Sequence, residues 1–540
     1  MADSHQRQQQ QRQLPQLSPQ HQQNAVSSFA ARRLPAVSLL VLVALTAFPL
    51  SAAKAQSTPV HPAGNSPVAT ADWYVIRFND DAVGYERITS QPPIRSERSG
   101  SSAVALLRHR LTRLQLKRLG RDLSVAASLE TSEATDGSLL SFSLQRTDAS
   151  GASIERSGVR QEDSGSFEIE ETVQATHRKY RLTAPPHVWS PIMAAWVGGP
   201  VLANIRRDTR PVLFPETAGI SDIVVESGRT RVVRLSDQQQ LKLQSAAFYP
   251  FSDPTQRTAI YIDDGGTVIV QEQPLLGGTL KLEKTSAEVA LSSLNGKSID
   301  LDTMAVIPVD TAVRNATAGE SQILELRTKG PLRNLIPAGS FQHVELAGDR
   351  SARITLLPVE RSRRRTPAPL GQREKLPSTR WMPTDDPRIQ QLAFSGAVGE
   401  TDGMQLCLRL ERFLHSKMQH SAFSTSMVPA DEVARTLRGD CTEHAVLLAA
   451  MMRVHGIHSR VVSGLVAATR GVGFVGHMWT EARIGDEWVP FDSTLQSSEF
   501  DVPHIRLADS ELPDDMVSGV TLFIPVLDLA GRAEIHVIRE

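Results

Sequence analysis

The chain has 540 residues, of which 40% are apolar and 22% charged, with a formal net charge of −1 and an isoelectric point near 7.0. This is ordinary globular composition with ample material for buried cores, and at roughly 100–200 residues per domain it suggests about three domains. The balance excludes a broad basic footprint for nucleic acid, and two cysteines, Cys407 and Cys441, are too few for a disulfide framework or a cysteine-rich zinc site.

Residues 1–30 are rich in Gln, Ser and His without apolar periodicity and read as a disordered extension. Arg32 and Arg33 then precede an apolar run over 34–50, and the small residues Ala53 and Ala55 flank Lys54. A basic flank, an apolar core and an A-x-A site make 31–55 a signal peptide cut after Ala55, with an uncleaved anchor as the alternative. No later segment is long and apolar enough to span a bilayer, so the mature protein is expected to be exported, periplasmic or secreted, with no stable membrane span. Residues 56–71, rich in Pro, Ser and Ala, read as a linker.

From Asp72 onward short apolar-alternating runs follow one another, bounded by Gly, Asp, Ser or Pro, as in SLLSFSLQRT, SFEIEETV, LKLQSAAFY and LKLEKTSAEVAL. The run AIYIDDGGTVIV is a hairpin signal, with Asp264, Gly265 and Gly266 at the turn. An amphipathic stretch over 104–119 and a shorter one over 189–196 are the helical exceptions. The reading is one antiparallel β domain over 72–300 and a small β segment over 301–360. Arg361 to Arg365 and the prolines after them read as a solvated basic linker over 361–380, too short to bind nucleic acid. From Trp381 helical spacing takes over, and Leu406, Leu410, Phe413 and Leu414 share one helix face.

The chemistry concentrates in LRGDCTEHAVLLAAMMRVHGIHSRVVSGLV and the later GHMWTEARIGDEWVPFDSTL. Asp440 before an apolar-periodic run, with Glu443 three residues on, is a capping-box start, and Gly456 can end the helix. Cys441 therefore falls on the first residue of a helix, where the dipole and the unpaired N–H groups favour a thiolate and can donate to an oxyanion. A thiol nucleophile needs a base and an orienter. Three strands follow the helix, the last two joined by a two-residue turn at Gly485-Asp486. Pairing Ile484 with Glu487 and counting outward puts His477 and Asp492 on the same face, and a one-residue slip would separate them. The candidate catalytic residues are thus Cys441, His477 and Asp492, with no cofactor. His444 is assigned to the helix surface. His455 and His458 are spaced like ligands, but Gly456 interrupts the helix and no third ligand is near, so no metal is expected.

The order G-D-C-T-E-H-A, then G-I-x-x-R-V-V-x-G, then H-M-W-x-E, then W-x-x-F-D-S-T resembles the transglutaminase-like superfamily over 381–494. Met478 stands where the family often has a small residue, and Ser493 where it often has Pro. The resemblance implies an α+β protein with a papain-like core, a helix packed on an antiparallel sheet, in a catalytic domain over 381–540. It carries Cys441, His477 and Asp492 over as a triad that attacks amide bonds of a protein or peptide substrate through a thioacyl intermediate. Hydrolysis is favoured over transfer to an amine. The β-rich region resembles sheet domains that precede such cores in some exported bacterial proteins. The rival reading is a non-catalytic envelope binding protein on the same scaffold, which an intact triad argues against.

Overall fold

Alternation of apolar and polar residues builds strands wherever neighbours are available to pair, and here they pair along a single path. The computed structural model describes residues 70–538 apart from 92–103, 119–120, 135, 148–152, 162–163, 174–175, 193–205, 217, 252–256, 276–277, 301–305, 314–319, 333–335, 360, 362–375, 421–426, 469–472, 496–499 and 515–521. The expected leader and most of the linker after it thus lie outside the described residues. Among those described, fourteen strands form one antiparallel path. The chain meanders from Thr70–Phe78 to one edge at Thr176–Leu182 and re-enters at the opposite edge, Arg207–Phe214. It then works back until Gly278–Thr285 pairs with the first strand. Tyr74, Ile76, Leu114, Leu129, Phe167 and Leu282 meet in its main core. The hairpin at Asp264 to Gly266 forms, with Gly266 at φ 84°.

Two stretches differ from expectation. Residues 104–119, expected as a helix, contain the strand Val104–Arg118, paired with Asp81–Gln91 on one side and Arg121–Ala134 on the other. The run fits both periods, since Leu107, Leu111 and Leu114 lie at helical spacing. Thr112, Leu114 and Leu116, however, alternate and are the buried set, and two waiting partners decide the outcome. The strand expected over 280–291 ends at Thr285. There the Ser286 hydroxyl accepts from Val289 N at 3.3 Å and caps the helix Ala287–Ser292. Of the helix expected over 189–196, Trp189 bridges to Val212, Pro191 and Ile192 are helical, and 193–196 lie outside the described residues.

The C-terminal part is a layer of helices on a second antiparallel sheet, so the chain as a whole is α+β. Ala445 to Met452 is an unbroken apolar run, and the helix Cys441–Val454 is buried from Thr442 to Arg453. A helix apolar on all sides belongs inside a core. This one lies between the sheet and the helices Pro387–Gly396, Gly403–Lys417 and Ala430–Thr436. The Thr480 hydroxyl donates to Ala445 O at 2.9 Å and the Ser459 hydroxyl to Ala449 O at 2.8 Å, which pins the helix backbone to the sheet. In that sheet Ser459–Ala467 is flanked by Gly473–Ile484 and His504–Ser510, and Glu487–Phe491 folds back on Gly473–Ile484. The segment over 301–360 is woven into this region. Ile307–Pro308 pairs with Gly473–Ile484, and the last strand, Ala533–Ile538, pairs with Gln322–Thr328.

The large sheet is tied to the helical layer at its edge strand. Arg178 donates to the Arg380 carbonyl and pairs with Asp431 at 2.9 Å, while the Arg380 guanidinium lies 4.7 Å from the Tyr180 ring centroid. Among the described residues no helix is long and apolar enough to cross a membrane. Close packing in the second sheet depends on Gly464, where an added Cβ would sit 2.0 Å from the Ile505 carbonyl oxygen and 2.9 Å from the Trp479 ring. Gly464→Ala should therefore lower stability by about 1–3 kcal/mol, read as an earlier urea midpoint. An unchanged midpoint would contradict this packing.

Candidate active site

The nucleophile side of the site is built by helix capping. The Asp440 carboxylate accepts from Thr442 N at 2.9 Å, and Glu443 reaches back to accept from Asp440 N at 2.9 Å. This reciprocal box starts the helix at Cys441. Gly439 makes room for it, since a Cβ there would meet the Glu443 side chain at 2.3 Å. Cys441 is half-buried at the positive end of the helix, whereas Cys407 is buried in the core; neither forms a disulfide.

The candidate base, His477, and its partner Asp492 come from the hairpin strand Gly473–Ile484 and the residue after Glu487–Phe491. Its register pairs Ile484 with Glu487 and Thr480 with Phe491, the pairing read from the two-residue turn. His477 and Asp492 consequently meet on one face, with His477 Nε2 2.8 Å from Asp492 Oδ2. A carboxylate only accepts, so the proton of this bond is on Nε2, and the other ring nitrogen is left for Cys441, whose thiol interacts with the same imidazole. The structure therefore brings all three candidate residues together. Burial opposes charge on both partners. Even so, the facing Asp492 carboxylate and the Cys441 thiol raise His477 well above the ordinary histidine value, and His477 and His504 carry Asp492 well below the ordinary carboxyl value. Trp479 lies alongside the His477 ring, centroids 6.3 Å apart, and closes one side.

Asp492 is held by more than the histidine. Its Oδ1 accepts from Thr494 N at 2.9 Å and from the Thr494 hydroxyl at 2.6 Å. Its own N–H donates to Glu411 Oε1 at 2.7 Å, and Glu411 in turn pairs with Arg361 Nη1 at 2.8 Å. Arg361 opens the basic run that reads as a solvated linker. Instead it is 1% exposed, with its guanidinium 5.4 Å from the Phe491 ring centroid; the rest of that run, 362–375, lies outside the described residues. The reason is charge pairing: Glu411 sits on a buried helix face and needs a cation. His444 likewise departs from the surface position expected for it. It is buried, with Nδ1 2.9 Å from the Ser493 hydroxyl, and His415 Nδ1 donates to Ser493 O at 2.9 Å. Ser493 thus anchors the residue after Asp492 from two helices, a task the usual Pro could share only through its carbonyl. His504, another residue absent from the sequence reading, places Nε2 3.3 Å from Asp492 Oδ2.

His477, Asp492 and His504 bring ligand-type atoms within 4.8 Å of one another. Asp492 Oδ2 faces the two histidine nitrogens, and Oδ1 faces the two Thr494 donors. A thiol at a helix N-terminus, an imidazole against it and a buried carboxylate behind the imidazole can perform nucleophilic acyl transfer.

Residues 390–493 match the Transglutaminase-like superfamily, and the stretch contains Cys441, His477 and Asp492. The chain thus carries a transglutaminase-like core. Solved structures with some likeness include a protein provisionally named a cysteine protease, from Cytophaga hutchinsonii, at 16% identity over 41% of this chain and 87% of that one, TM-score 0.27. A β-barrel-like protein of a domain of unknown function from Brucella abortus shares 9% identity over 40% of this chain and 95% of its own, TM-score 0.29. A protein provisionally named a protease, from Parabacteroides distasonis, shares 9% identity over 66% of this chain and 68% of its own, TM-score 0.19. Likenesses this weak carry no inference about function. No curated protein matches the chain.

The buried Arg361–Glu411 pair gives a test of how Asp492 is supported. Burial raises Glu411 even with Arg361 beside it. Arg361→Met should cost about 3–5 kcal/mol near pH 8, the usual penalty for stranding a buried charge. A raised carboxyl binds its proton more tightly in the folded state, so part of the loss should return as pH falls toward the ordinary value of 4.5. Urea unfolding at pH 8 and pH 5.5 checks this; a loss of equal size at both would contradict it.

Proposed function

We propose that this protein is an exported thiol hydrolase that cleaves amide bonds in a peptide or protein substrate. The observation that carries the reading is the line of three side chains: Cys441 at a helix N-terminus, His477 interacting with it, and Asp492 hydrogen-bonded to His477 at 2.8 Å. The leader pattern over 31–55 supports an exported location.

In this mechanism the Cys441 thiolate attacks the carbonyl carbon while His477 holds the thiol proton. The oxyanion that forms lies against the first N–H groups of the helix. Collapse breaks the C–N bond, the imidazolium gives its proton to the leaving amine, and a thioester remains on Cys441. His477 then removes a proton from water, which attacks the thioester and releases the acid and the thiolate. Asp492 keeps the imidazole in the required tautomer and stabilises its cation without accepting the proton itself. Water is taken as the acceptor because it needs no site beyond the triad.

Cys441→Ala should abolish release of amine from a peptide library while the Tm stays near that of the wild type. Asp492→Asn should lower kcat by about 10²–10⁴-fold, through the wrong tautomer. Turnover that survives Cys441→Ala would end the mechanism. Preferential incorporation of a labelled amine into glutamine-containing peptides would show that transfer, not hydrolysis, is the reaction.

A further inference from the structure

The three-residue mechanism does not use His504, yet this histidine shares the Asp492 carboxylate with His477. It opens the strand His504–Ser510 and is buried. Its ring stacks on Phe500, centroids 4.1 Å apart, meets Trp479 edge-on at 5.0 Å and lies 5.6 Å from the His477 ring. Nδ1 is 2.7 Å from Val502 O, and Nε2 is 3.3 Å from Asp492 Oδ2. Both of these neighbours are oxygens that only accept. A neutral imidazole has one N–H, so either tautomer leaves a bare nitrogen lone pair against an oxygen; only the imidazolium satisfies both contacts. Asp492 has its own stake in that proton. A carboxylate offers about four lone-pair positions; three are taken by His477, Thr494 N and the Thr494 hydroxyl, and His504 faces the remaining one.

We propose that His504 is a positioning residue that acts through Asp492: when it takes up a proton, its positive charge on the shared Oδ2 destabilises the nearby His477 imidazolium and switches the thiol site off in acid. The inference rests on the reading of Cys441 as nucleophile and adds a regulator to that site. The groups that face His504 are Asp492 and His477 from the hairpin and the Val502 carbonyl from its own segment. Behind Phe500 lies the Arg361–Glu411 pair, with the guanidinium 5.9 Å from the Phe500 ring centroid. Burial works against the proton, Asp492 works for it and His477 against it, and the sum lowers His504 below the ordinary histidine value. The ring is thus neutral at neutral pH and charges on acidification. Two like charges then share one carboxylate, with their rings 5.6 Å apart. The His477 imidazolium is weakened, and the Cys441 thiolate loses its counter-ion.

The test follows alkylation of Cys441 by iodoacetamide in the full-length chain from pH 4 to pH 8, read on the Cys441 peptide by mass spectrometry. In the wild type the acid side of the log-rate profile should fall with a slope of about two, because the thiolate and His504 take up protons together. In His504→Gln and in His504→Asn the slope should drop to about one, and the acid midpoint should move down by about one to two pH units, as removal of a like charge near 5–6 Å implies. A wild-type slope of about one, with no shift in either variant, would overturn the proposal. The wild-type slope decides even if a variant fails to fold. If wild-type Cys441 instead labels as an ordinary thiol, indifferent to His477→Ala, the proposed function itself fails, and the switch with it.

Discussion

The hydrogen bond between His477 Nε2 and Asp492 Oδ2 is the contact on which the rest of this site depends. A buried carboxylate is costly unless every lone pair finds a donor. Much of the surrounding structure meets that demand: Thr494 closes on Oδ1, Glu411 accepts the Asp492 N–H, and Arg361 neutralises Glu411 from a segment far back in the chain. With the carboxylate fixed, the imidazole has one tautomer and one orientation, and its free face meets the helix end that presents Cys441. The polar layer beneath these three side chains therefore holds the Asp492 carboxylate against Nε2 and fixes where the imidazole proton resides.

What the sequence made legible was local. Asp440 and Glu443 announce the start of the Cys441 helix through a capping box that spans four residues. Gly485-Asp486 announces the hairpin register, which decides that His477 and Asp492 share a face. These signals survive because their partners are near neighbours in the chain. Arg361, Glu411 and His504 were not legible, since each acquires its role from a residue many positions away; the first two lie in stretches that read as linker and amphipathic helix. His444 was assigned to the helix surface for the same reason: its bond to Ser493 crosses from helix to hairpin.

In the large sheet the strands were mostly legible and their partners were not. Alternation marks a strand without saying which strand pairs with it. The run at 104–119 satisfied both the helical and the strand period, and its neighbours resolved the ambiguity. The same holds for the final strand, Ala533–Ile538, whose partner Gln322–Thr328 lies far upstream. The edge of the large sheet meets the helical layer through Arg178 and Asp431, close in sequence to the turn that delivers Cys441. The β-rich region is thereby joined to the scaffold of the site.

The most direct test of the account compares the alkylation rate of Cys441 near pH 6 in the wild-type chain with that in His477→Ala. If His477, held by Asp492, accepts the thiol proton, the wild type should label at least about tenfold faster than His477→Ala. Equal, slow labelling of both proteins would contradict the account.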